Sequence, residues 1–171
     1  MRMLLSWLLA VFCMAWVPAS AQEAKPPFIV VISAEAPAAS IGPDSYTVKA
    51  GSDVFIKVRL TNVSKRNLSI GDDSDSRTGV DFFHRYEVRD SSGNSAPKRT
   101  ITHPEIRSTG HGWPSRVLKP EKSLDVASDR ITGLYDLTQP GKYTIQVARD
   151  VSGDPKDGEV KSNTITLTVT E

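Results

Sequence analysis

Sulfur is almost missing from this chain. Its 171 residues hold one cysteine, Cys13, and three methionines, at positions 1, 3 and 14. Everything after Met14 therefore lacks disulfides, thiol nucleophiles and thiolate metal ligands. Surplus charge is missing too. There are 21 basic and 20 acidic residues, and Arg2 is the only charged residue before Gln22, so residues 22–171 carry equal numbers of both signs. A neutral chain has no electrostatic footprint for nucleic acid or for anionic membranes. Long apolar runs are also absent. The longest, Leu4–Val17, is 14 residues, where a spanning helix needs about 20. Finally, no long segment repeats its apolar residues with a helical period.

What the N-terminus does have is the layout of an export signal. Arg2 precedes the uncharged run Leu4–Val17, Pro18 breaks it, and Ala19-Ser20-Ala21 offers small residues for cleavage before Gln22. Residues 1–21 are thus expected to be a signal peptide and 22–27, ending in Pro26-Pro27, a flexible lead-in. Residues 28–171 are expected to form the folded domain, periplasmic or extracellular, with no membrane span once the signal is removed. Phe12 before Cys13 is too large for a lipoprotein cleavage site. With export read as bacterial, the sequons Asn62-Val63-Ser64 and Asn67-Leu68-Ser69 are taken as chance matches.

The dominant period is two. Val54, Ile56, Val58 and Leu60 alternate with polar or exposed positions, as do Tyr143, Ile145 and Val147, and Ile165, Leu167 and Val169. Period two sends alternate side chains to opposite faces of a sheet. Turn-forming clusters divide the chain into strands near Phe28–Ala34, Tyr46–Lys49, Asp53–Asn62, Asn67–Ile70, Phe82–Asp90, Ser123–Ser128, Lys142–Asp150 and Asn163–Thr170. Many short strands without helices predict an all-β fold, an antiparallel β-sandwich of about 7–9 strands.

Two segments lack strand patterning, Gly71–Val80 and Ser95–Val117. Long irregular segments in a compact domain tend to carry function. The first holds Asp72, Asp73 and Asp75, a carboxylate group of the kind calcium uses. Arg77 stands where an EF-hand ligand belongs, however, and a solvated acidic loop fits better. The second holds His103, Glu105 and His111, without the fixed spacing of a zinc motif, and Trp113 between Gly112 and Pro114. Trp113, His111 and His103 are the candidate binding-loop residues, with Trp113 either capping the core or serving as an aromatic anchor. His84 keeps register with Tyr86 and Val88 and is expected at the core's edge. No Gly-x-Ser-x-Gly elbow or paired acid and base is identifiable, so catalytic, cofactor and metal residues are not expected.

The stretch Leu134-Tyr135-Asp136-Leu137-Thr138-Gln139-Pro140-Gly141-Lys142-Tyr143-Thr144-Ile145 resembles the entry to strand F of an immunoglobulin-like domain. There a tyrosine closes the corner between strands E and F with its hydroxyl, and Tyr143 matches that place. Together with Val48-Lys49-Ala50-Gly51-Ser52, Tyr86–Gly93, Leu118–Lys122 and Lys161–Ile165, the layout resembles uncharacterised secreted bacterial proteins with one immunoglobulin-like sandwich. It is more distantly similar to the bacterial intracellular proteinase inhibitor domain. The resemblance implies the fold. The reading of function that goes with it is a non-catalytic binding module that engages an envelope or secreted protein, or a glycan, through loops or a strand edge. A proteinase-inhibitor-like role is the alternative.

Overall fold

A computed structural model describes residues 25–35, 39–71, 84–100, 115–151 and 158–171. The expectations for the signal peptide, for Asp72–Asp75 and for His103, His111 and Trp113 lie outside these residues.

Among the described residues, eleven strands and one helical turn are present in the order β1 (Phe28–Glu35), β2 (Ala39–Gly42), β3 (Ser45–Lys49), β4 (Phe55–Asn62), β5 (Leu68–Gly71), β6 (His84–Asp90), β7 (Ser115–Leu118), β8 (Ser123–Arg130), α1 (Ile131–Leu134), β9 (Gly141–Asp150), β10 (Glu159–Lys161) and β11 (Ile165–Thr170). The fold is all-β, as the alternating pattern requires. The strand count exceeds the expected 7–9, because β2, β7 and β10 are too short to show a period of their own. The four-residue α1 is likewise too short to show a helical one.

Three sheets form. One runs β1-β4-β8, antiparallel throughout, and a two-stranded one pairs β5 with β7. The largest runs β10-β9-β11-β3-β2, with β6 on the other edge of β9. Its β11–β3 pair is parallel, a departure from the wholly antiparallel expectation. Parallel strands need a long connection between them, and here nearly the whole domain supplies it. β11 therefore lies inside the sheet, between β9 and β3, although it comes after all the other described strands in the chain.

Inward side chains of the sheets meet in one core. Val54, Ile56, Val58 and Leu60 are fully buried before and along β4, Ile145 and Val147 on β9, and Ile165 and Leu167 on β11. These are the positions that the period of two assigns to one face. Polar side chains stitch the layers. The Tyr86 hydroxyl donates to Asp129 Oδ2 at 2.7 Å, joining β6 to β8. Asn163 accepts from Ile32 N–H at 2.8 Å and donates to Ile32 C=O at 3.1 Å, joining the approach to β11 to the outer edge of β1. His84 is buried at the start of β6, and its Nε2 lies 2.8 Å from Nη1 of buried Arg149. A guanidinium only donates, so Nε2 is the acceptor in this contact.

Asn62, at the end of β4, is fully buried. Its Nδ2 donates to Arg66 C=O and Leu118 C=O, both at 2.8 Å. Its Oδ1 accepts from Ser64 N–H at 2.9 Å and from the Ser64 hydroxyl at 2.8 Å. Its own backbone bonds Lys122 C=O and Glu121 N–H, both at 3.0 Å. One residue thus ties β4 to the turn that follows it, to β7, and to the turn between β7 and β8.

That second turn contains a strained residue. Pro120 precedes Glu121, whose φ is 58°, and Lys122 N–H closes on Lys119 C=O at 3.2 Å. A residue with a Cβ pays about 1–2 kcal/mol in this region, while glycine adds about 0.4–1 kcal/mol of unfolded-state entropy. Glu121→Gly is therefore expected to stabilise the fold by about 0.5–1 kcal/mol. A lower midpoint in urea than the parent's would contradict this.

Candidate functional site

Alternation along β6 turns Arg85, Glu87 and Arg89 to solvent, while His84 and Val88 are buried. The ladder pairs Arg85 with Ala148 on β9, and Ala148 in turn with Lys161 on β10. Two long cationic side chains thus flank a methyl group, which leaves a depression in the sheet surface. Arg85 forms ion pairs with Asp150, at 3.0 Å, and with Glu159. Lys161 lies 3.7 Å from Glu159.

The depression continues over the edge of β6. After the tight turn at Asp90–Asn94, in which Asp90 accepts from the N–H groups of Ser92 and Asn94, the chain doubles back. Ala96 N–H bonds Val88 C=O at 2.8 Å. Asp136 N–H bonds Pro97 C=O at 2.8 Å, and Arg99 N–H bonds Leu134 C=O at 2.9 Å. The Tyr135 hydroxyl caps the next outward carbonyl of β6, that of Tyr86, at 2.6 Å. Backbone acceptors on this edge are therefore occupied at Tyr86 and Val88, and side chains form the accessible surface. The result is a groove of about 450 Å³ with Arg85, Lys161 and Glu159 on one side, Lys98 and Arg99 on the other, and Leu134 and Ala148 as apolar lining.

Arg99 is shared with a second cavity of about 250 Å³, which also has Ser52, Asp53, Arg130 and Thr132 in its walls. Its guanidinium reaches Tyr135 C=O at 3.3 Å and Asp136 Oδ1 at 3.4 Å, so it lies across the ridge between the two. Lys98 has no carboxylate partner among the described residues. Its Nζ stands 6.0 Å from the centre of the Tyr135 ring.

Two carboxylates and one phenol beside the groove are shifted from their ordinary values. Arg89 holds the Glu87 carboxyl below its ordinary value through a hydrogen bond. Thr138, through its hydroxyl and its N–H, and then Arg99 do the same for Asp136. Burial pushes the Tyr135 phenol up. The arrangement offers fixed charges for recognition. Among the described residues no group of three His, Cys, Asp or Glu side chains is placed to hold a metal ion, and no helix is long and apolar enough to cross a membrane.

Of the residues singled out from the sequence, Tyr143 and His84 fall within the described structure. Tyr143 is buried at the start of β9, and its hydroxyl donates to Gln139 C=O at 3.0 Å, four residues upstream. Burial raises its phenol's pKa, with Asp136 and Asp90 adding to the shift. Tyr143→Phe is expected to cost about 1–2 kcal/mol, the loss from leaving that carbonyl without its donor. A change within about 0.5 kcal/mol, the range of ordinary surface substitutions, would show that water replaces the hydroxyl. His84 forms part of the groove's lining but is buried beneath it. Lys98, Arg99 and Lys161 belong to no binding motif in the sequence. The one available signal was the charge at every second position of β6, which marks its solvent face.

No protein-family model matches the sequence, and no curated protein matches it.

Proposed function

We propose that this chain is an exported, non-catalytic binding module, an immunoglobulin-like β-sandwich that engages another envelope or secreted protein. The groove beside β6 carries this reading. It combines open cationic side chains, apolar lining and paired carboxylates, which suits recognition better than proton transfer. The export part of the reading rests on Arg2, the Leu4–Val17 run and Ala19-Ser20-Ala21. The sandwich reading has three supports. The order β1-β4-β8 resembles strands A, B and E, the order β11-β9-β6 resembles G, F and C, and the bond of the Tyr143 hydroxyl to Gln139 C=O before β9 resembles that of the corner tyrosine before strand F.

The test is site-directed crosslinking. A photoreactive residue at position 98 or 134 should capture a partner in the native envelope. The same residue at position 59 or 117, exposed on other surfaces, should not. Equal capture from all four positions would sink the groove as the binding surface. Stoichiometric inhibition in a panel of proteases would favour the inhibitor-like role instead.

A further inference from the structure

We infer that the groove takes an extended acidic peptide segment of a partner protein, with Lys98 and Arg99 reading its carboxylates. This rests on the groove being the binding surface and adds the chemistry of what it binds.

The charge balance inside the groove gives the sign. Glu87 is engaged by Arg89, and Glu159 by Arg85 and Lys161. Each acid in the lining already has a cation. Lys98 has no carboxylate among the described residues, and Arg99 reaches its own, Asp136, only at 3.4 Å. Both are exposed and adjacent on the rim. The surplus is positive, and it is concentrated on one wall.

The shape gives the length. Arg99 borders both cavities, and the second adds Arg130, paired with Asp53 at 3.5 Å, and the hydroxyls of Ser52 and Thr132. An occupant that meets Arg99 from one cavity can continue into the other, which favours a linear chain over a compact ion.

The lining distinguishes peptide from glycan. Sugars bind on open aromatic faces, but Tyr135 is only 4% exposed and Lys98 stands over its ring. The Tyr86 phenol is turned inward to Asp129. What remains apolar is aliphatic, Leu134 and Ala148, and it fits side chains of leucine type alternating with acidic ones.

Three probes test this against the mature protein. They are a short labelled peptide alternating glutamate and leucine, its glutamine-for-glutamate counterpart, and an oligogalacturonate. The acidic peptide should shift backbone amide resonances of Arg85, Lys98, Arg99, Leu134 and Ala148, and salt should weaken it. Lys98→Glu with Arg99→Glu should weaken it about tenfold or more, whereas Lys119→Glu with Lys142→Glu, outside the groove, should change it little. Lys98→Glu alone serves if the double variant loses its melting midpoint. Equal binding of the glutamine peptide in the groove would overturn the acidic preference while leaving the groove as the site. Tighter binding of the oligogalacturonate there would replace peptide by glycan. Shifts elsewhere, or none with any probe, would overturn both the ligand class and the groove.

Discussion

Asn62→Ala is expected to destabilise the protein by about 3–4 kcal/mol, far more than a polar-to-alanine change at a surface position. The substitution removes four side-chain hydrogen bonds in a fully buried place. Leu118 C=O, inside the structure, loses its donor outright, and an unsatisfied buried group costs about 1–3 kcal/mol. Arg66 C=O and Ser64 N–H lie nearer the surface, where water repairs part of the loss. Asn62→Asp separates the causes. It keeps the acceptor for Ser64 but turns an oxygen towards the carbonyls of Arg66 and Leu118 and buries a charge among them. Asp should therefore be worse than Ala. Urea and thermal melts of the pair decide. A cost for Ala below about 1 kcal/mol, or an Asp variant as stable as Ala, would refute the amide's role as the donor that joins β4 to β7.

Leu167→Ala should also be severe, at about 3–5 kcal/mol, the upper part of the range for buried leucine. Leu167 is fully buried, and its strand is held on both sides, by Tyr143 of β9 and Tyr46 of β3. A site fixed by two ladders cannot collapse into the space left behind, so the cavity persists and its cost is paid in full. Val169→Ala, nearer the chain's end and 4% exposed, should cost less. Equal losses at the two positions in denaturant melts would mean that β11 peels away as a unit rather than sitting fixed within the sheet.

Both effects bear on what the sequence made legible. The apolar residues of β4, β9 and β11 alternate over long stretches, and each one read as inward is buried. β10 has a single apolar residue, Val160, between Glu159 and Lys161, and β7 leaves Val117 exposed. Neither carries a pattern, because neither is held by its own. β7 is fixed by pairing with β5 and by the Asn62 amide. The parallel β3–β11 pair joins residues more than a hundred positions apart, beyond the reach of local alternation. The groove was hidden for a related reason. Lys98 and Arg99 resemble any loop charges until the Asp90 turn and the Lys98–Tyr135 bridge set them beside β6.

Asn163 has a consequence for self-association. β1 is an edge strand among the described residues, and it exposes Ile29 and Val31, 45% and 43% accessible. Such an edge is a template on which another chain can add a strand. The amide of Asn163 turns its acceptor and one of its two N–H donors to Ile32, filling both outward positions there as a neighbouring strand would, while Nδ2 also donates to Asp44 Oδ1 at 2.7 Å. It acts as a one-residue strand that ends the sheet. Its loss would register less in the melting of dilute monomer than in solubility. Asn163→Ala protein should form aggregates at concentrations where the parent stays soluble, with the Ile29–Val31 stretch of one molecule laid along that of the next.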